Sequence, residues 1–227
     1  MSDWWTYTLS DFLLFSPRTY YRLIQRHNEA LWPGQVAALG LSLVLLGLLR
    51  RPTVWPGRMV LAILAALWAW VAWAFVWRRY VTINWAAKYL VWLFAVEVLL
   101  LLWLGVIREG PRFGWRRDMT GMLGAALLVL SLVLYPALAP LLGRGWRQAE
   151  LFGVAPDPTV LATMGVLLLA DGPPHWVLLA VPVLWCVVSG VTLLAMGSPE
   201  AGVLLAAALL AVGASGWRSR RSQPPPI

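Results

Sequence analysis

Lys88–Ile107 reads KYLVWLFAVEVLLLLWLGVI, a run that is apolar or aromatic except for the lysine at its head and Glu97 near its centre. A helix of about 20 residues reaches roughly 30 Å, the thickness of a bilayer's hydrocarbon core. The stretch therefore predicts a membrane-crossing helix. A carboxyl at its midpoint costs about 2.5–3.5 kcal/mol on insertion scales and more on others, so Glu97 is the first candidate for a transport or binding role. Partners for it must come from another helix, because Lys88 is about half a turn round the helix and roughly 13 Å along it.

Similar runs lie on both sides. Gln35–Leu49, Arg58–Trp77 and Trp85–Ile107 precede a basic loop at Arg108–Asp118, and Met119–Leu142, His175–Met196 and Glu200–Trp217 follow it. Between them, Thr159–Ala170 offers only about a dozen apolar residues, roughly 18 Å of helix, too short to cross alone. It follows Pro156-Asp157-Pro158, where Asp157 is suited to N-cap a helix and Pro158 to begin it. Such interrupted segments hold binding sites in some transporters, which makes Asp157 a second candidate. Tyr135-Pro136 and Pro140 predict a kink within Met119–Leu142, Gly121 with Ala125 a close-packing edge, and Ala207 with Ala211 another.

The N-terminal part differs. Arg18, Arg22 and Arg26 recur on one side of a helix beginning at Ser16-Pro17, while Tyr20, Leu23, Ile24 and Leu31 fall on another. This pattern predicts an amphipathic helix in the headgroup plane, anchored by the three arginines, by Tyr20 and by Trp32, with Tyr20 and Ile24 entering the acyl boundary. Aromatic residues of Met1–Phe15 suit the same level. Trp70, Trp73 and Trp77, and then Trp85, Trp92 and Trp103, form stripes read as interfacial belt and packing.

The expected fold is all-α: a polytopic membrane helix bundle of about seven transmembrane helices, one short or broken, preceded by an amphipathic interfacial helix. Residues 1–34 form the interfacial segment, 35–217 the bundle and 218–227 a disordered basic, proline-rich tail. Composition agrees, with 60% hydrophobic and 12% charged residues and a mean hydropathy of +0.72, against about 25% charged in soluble domains. A net charge of +8 is carried by arginines at the ends of apolar runs, which reads as membrane anchoring and excludes nucleic acid as the partner. No cleavable signal is expected from the first thirty residues.

Arginine also sets the orientation. With seven crossings, ten arginines share the side of the tail (Arg50, Arg51, Arg58, Arg108, Arg112, Arg116, Arg117, Arg218, Arg220, Arg221) and seven the other (Arg18, Arg22, Arg26, Arg78, Arg79, Arg144, Arg147). With six crossings the tail joins the second set, again ten against seven. The C-terminus is therefore expected in the cytoplasm of a multi-pass bacterial inner-membrane protein under either count, while the side of the N-terminus depends on the count.

Chemistry is sparse. His27 and His175 are the only imidazoles and are not placed for a haem, Lys88 is not placed for a retinal Schiff base, and Cys186 stands alone. No phosphate loop, dinucleotide fingerprint or zinc motif occurs. Ser189 lies fourteen residues from His175, roughly 21 Å along one helix and too far for a hydrogen bond. No catalytic residue, metal or cofactor is expected. Asp171 and His175 flank Gly172-Pro173-Pro174 and can meet across a tight turn, as a third candidate pair.

The segments Tyr20-Tyr21, Asn28-Glu29-Ala30, Trp32-Pro33-Gly34-Gln35 and Glu150–Thr159 resemble an uncharacterised bacterial family of small polytopic membrane proteins, a domain of unknown function sometimes loosely labelled permease. In that family pattern a Cys often occupies the position of Asp157, so its replacement here weighs against a soft metal held by a thiolate. The resemblance implies a membrane protein with a distinctive Pro-x-Pro segment. The function expected is a small permease-like protein for an ion or small solute. The alternative is an accessory or scaffold subunit of a larger complex, with the lipid bilayer and a membrane-protein partner or a second copy of the chain as its contacts.

Overall fold

The long apolar runs fold as helices throughout the computed structural model, which describes residues 13–108 and 110–221; no strand forms among them. In order they are α1 (Pro17–Leu31), α2 (Gly34–Leu48), α3 (Val54–Val71), α4 (Ala87–Leu100), α5 (Met119–Val129), α6 (Tyr135–Leu141), α7 (Pro156–Leu168), α8 (Trp176–Ala195) and α9 (Glu200–Arg221). Wide π-type turns extend α3 over Ala72–Trp77 and α4 over Leu101–Ile107, and Leu130–Leu134 links α5 to α6. The last has a chemical cause. Pro136 has no N–H to give the Leu132 carbonyl and its ring crowds that oxygen, so the backbone widens just ahead of it.

Several helices are long and apolar enough to cross a membrane: Val54–Thr82, Ala87–Ile107, Met119–Leu141, Trp176–Ala195 and Glu200–Arg221. Helices α1 and α2 meet at 87° and pass the same test only as a bent pair. Alone, the 15 residues of α2 reach about 22 Å.

Helix α7 is the centre of the molecule. It has 13 residues, and every residue from Phe152 to Ala170 is buried. A helix buried on all faces must be enclosed by others, and α5, α8 and α9 enclose this one, with part of α3. Its approach to α5 depends on two glycines. A Cβ on Gly124 would stand 2.7 Å from the Gly165 carbonyl oxygen, and one on Gly165 would stand 2.9 Å from that of Gly124. The close-packing edge thus runs through Gly124. Gly121, expected there, instead backs onto Arg116. Ala207 and Ala211 are buried as their spacing suggests.

Loop contacts define two ends. At the first, Tyr21 donates to Ser198 and Glu200 at 3.0 and 3.1 Å, and Asn28 donates to the Ala149 carbonyl at 2.8 Å. His27 Nε2 donates to the Val154 carbonyl at 3.1 Å while its ring stands edge-on to Phe75. At the second, the Asp171 N–H donates to the Arg112 carbonyl at 2.8 Å and Arg218 to the Ala170 carbonyl at 2.5 Å. The first turn of α3 joins this end, where Gly57 abuts the Pro111 carbonyl.

Two expectations change. The apolar face of α1 does not meet lipid: Tyr20, Leu23, Ile24 and His27 are buried against the protein, with Tyr20 packed on Phe15 and Tyr80 at centroid distances of 5.9 and 6.2 Å. Arg18, Arg22, Arg26 and Trp32 are exposed. Secondly, α9 continues past Trp217 to Arg221 and buries Arg218. Residues 222–227, and Trp4, Trp5, Tyr7 and Phe12 at the other terminus, lie outside the described residues. The six tryptophans of the stripes are exposed along α3, α4, their extensions and the turn between them, and among the described residues Trp68 and Trp185 are the buried tryptophans.

Candidate functional site

Asp157 stands in the first turn of α7, one residue after Pro156. It does not cap the helix: Ala155 takes the N-cap position in extended conformation. Thr159 serves the local backbone instead, accepting from the Gly153 N–H at 2.9 Å and donating to the Ala155 carbonyl at 2.7 Å. That leaves the Asp157 carboxyl free for partners on other helices.

Three side chains supply them. Tyr135 donates its hydroxyl to Oδ2 at 2.9 Å and Trp185 its Nε1–H to Oδ1 at 2.7 Å, while Ser189 lies 2.9 and 3.0 Å from the two oxygens. Trp185 and Ser189 are four apart on α8 and so share a face. Ser131 and Tyr135, four apart across the wide turn, act as a second such pair, with Ser131 donating to the Pro158 carbonyl at 2.5 Å. The Trp185 N–H can only donate, while the Tyr135 and Ser189 hydroxyls can donate or accept, so this set of partners serves the carboxyl with or without its proton. The positive end of the α7 dipole faces the carboxyl as well, although Pro156 and Pro158 carry no N–H and Ala155 gives its own to the Leu151 carbonyl. No cation touches Asp157 among the described residues.

Beyond these partners lies more buried charge. Glu200 is paired with Arg144, whose guanidinium lies over the Tyr21 ring at 3.9 Å. Glu150, in the loop before α7, is 4% exposed and its Oε2 has no partner. Burial, reinforced by the like charges of Asp157 and Glu200 and opposed by Arg144, pushes the Glu150 carboxyl well above its ordinary range. On the other side of Ser189 is a cavity of about 10 Å³, lined by Tyr20, Tyr80, Trp185, Ser189 and Thr192 among others. That is about the space one water molecule occupies.

Glu97 is placed differently. It is buried in α4 on the face it shares with Phe94 and Leu101, yet neither of its oxygens has a hydrogen-bond partner. The link from its helix to the Asp157 centre is the Phe94 ring, about one turn away, whose centroid lies 4.5 and 4.9 Å from those of Trp68 and Trp185.

Asp171 and His175 lie at the far end and do not pair. Asp171 takes Arg116 at 3.3 Å, while His175 Nε2 has no partner. Burial, then the charge of Arg218, holds the His175 imidazole below its ordinary range. The four candidates therefore form three separate places. Among the described residues no three His, Cys, Asp or Glu side chains converge to hold a metal.

Tyr135, Trp185, Ser189 and Glu150 do not stand out in the sequence as site residues. The available signal was the i, i+4 spacing of polar groups inside apolar helices: Ser131 with Tyr135, and Trp185 with Ser189.

A family of unknown function, DUF6064, matches residues 18–223. No curated protein and no solved structure matches the chain.

Proposed function

The chain belongs to the DUF6064 family, whose description names no activity, and from its own geometry we propose a multi-pass membrane protein that is permease-like, with Asp157 as the group that handles a proton or small cation. The observation that carries this reading is a carboxylate at the head of a half-length, enclosed helix, held by Tyr135, Trp185 and Ser189 and by no cation. A broken or shortened helix that presents its end at mid-bundle is a recurrent way of building an ion site in transporters. The hydroxyl of Ser189 lies between the carboxylate and the small cavity, which Tyr20, Tyr80 and Thr192 line together with apolar Phe75, Val188 and Leu193.

On this reading α2 to α9 make seven passages, counting α5 and α6 together and α7 as an enclosed short one, in a bacterial inner membrane. The tail end gathers ten arginines against seven at the α1 end, which supports a cytoplasmic C-terminus. One observation favours the rival role of an accessory or scaffold subunit: with a cavity of only about 10 Å³ beside Asp157, that centre also suits a purely structural link between helices.

Flux measurements in reconstituted vesicles separate the two. Wild-type protein is expected to carry protons or one cation of a monovalent and divalent panel, and a folded Asp157→Asn variant to lose that flux. Flux that persists in the variant with its pH dependence intact removes Asp157 from transport. No flux across the panel, with stable recovery of a membrane partner, selects the scaffold role.

A further inference from the structure

A second site lies on the outer side of α1. Thr19, Arg22, Leu23 and Arg26 present one face of that helix to Arg79, Thr82 and Ile83 in the α3–α4 turn, and together they line a cavity of about 290 Å³. Three arginines from two elements thus line one space. Among the described residues none of the three is in an ion pair, although the chain pairs Arg116, Arg144 and Arg147 with carboxylates elsewhere. The element carrying two of them is fixed from behind, since Tyr20, Ile24 and His27 anchor α1 in the core. The arginines are therefore held together by the fold despite their mutual repulsion.

We propose that Arg22, Arg26 and Arg79 form a binding site for a phosphate group, either free or on the headgroup of an anionic lipid. Guanidinium forks match phosphate oxygens in pairs, and three of them offer more donors than one phosphate can use. The volume decides the size of the ligand. It falls just below the roughly 300–1,000 Å³ of drug-sized pockets, so the site takes a headgroup and leaves the remainder of a lipid outside. Arg18 is on the same helix but does not line the cavity, which sets this site apart from general attraction to a charged surface.

The test uses the full chain in neutral detergent and in phosphatidylcholine nanodiscs. Phosphatidylglycerol and inorganic phosphate serve as probes, and native mass spectrometry and thermal melting as readouts. Retention of phosphatidylglycerol over phosphatidylcholine, reduced tenfold or more in Arg22→Gln/Arg79→Gln, supports the site with lipid as the source. A rise in melting temperature with millimolar phosphate in lipid-free protein, absent in the variant, supports it with free phosphate as the source. Arg50→Gln/Arg51→Gln, at the other end, controls for bulk charge. If it weakens retention as much as the site variant does, or if neither probe distinguishes the site variant from wild type, the proposal is overturned. Should Arg22→Gln/Arg79→Gln not fold, Arg79→Lys keeps the charge but loses the fork, and undiminished binding by it together with Arg26→Lys overturns the proposal equally.

Discussion

Two carboxyls in this bundle, Asp157 and Glu97, are wholly without exposed surface, and of these two only Asp157 is provided with hydrogen-bond partners. Asp157 lies within 3.0 Å of a phenol, an indole and a hydroxyl from two other elements, whereas Glu97, equally buried, has no partner on either oxygen. Glu97 is the more conspicuous in sequence because it interrupts a long apolar run. Asp157 sits between two prolines beside a segment too short to cross. Position in an apolar run measures the cost of a carboxyl, but the donors around it measure how far the fold is built for it.

The sharpest way to break this contrast is to remove each group. Asp157→Ala would leave the buried Tyr135, Trp185 and Ser189 donors without their acceptor, and a buried polar group left unsatisfied typically costs about 1–3 kcal/mol. Melting of purified protein in detergent should fall accordingly, and a change below about 1 kcal/mol would mean the three donors find other partners. Glu97→Met should move the same measurement by less than about 1 kcal/mol in either direction, since an apolar chain of similar shape replaces a group that makes no hydrogen bond. A loss of about 3 kcal/mol there would reveal a partner for Glu97 and erase the contrast.

Much of this architecture is legible in the sequence, for a physical reason. Long apolar runs ended by Arg, Pro or Gly set the helix limits locally, so Met119–Leu142 and His175–Met196 differ by about a residue from the observed ends at Leu141, Trp176 and Ala195. The brevity of α7 is a matter of length alone. Which helices surround it is not local. The donors to Asp157 stand 22, 28 and 32 residues away, and periodicity gives the face a residue occupies without naming the helix opposite. The same gap explains α1, whose amphipathic pattern fixes a buried face but does not distinguish lipid from Tyr80 and Phe75 as the surface that covers it.

The smallest effect is expected at the far end, where a carboxylate near water provides the reference for Asp157. Asp118 N-caps α5 by accepting from the Gly121 N–H at 3.0 Å, and Arg116 grips both its oxygens at 2.8 and 3.2 Å. The Arg116 hydrogen bond in the first place holds the Asp118 carboxyl below its ordinary range, against a partial burial that pushes it up. Because the folded value is depressed, the pair's contribution is complete above the unfolded value, about 3.9, and is lost as pH falls through the lower folded one. Its side chain is 35% exposed, so solvent screening keeps the contribution near the 0.2–1 kcal/mol of surface pairs. Asp118→Asn retains a capping side chain but not the charge. Its melting temperature should lie slightly below wild type at pH 7 and converge with it below about pH 3. A gap that stays constant down to that pH would assign the difference to the cap, and an exposed carboxylate would then offer no measure of what burial adds at Asp157.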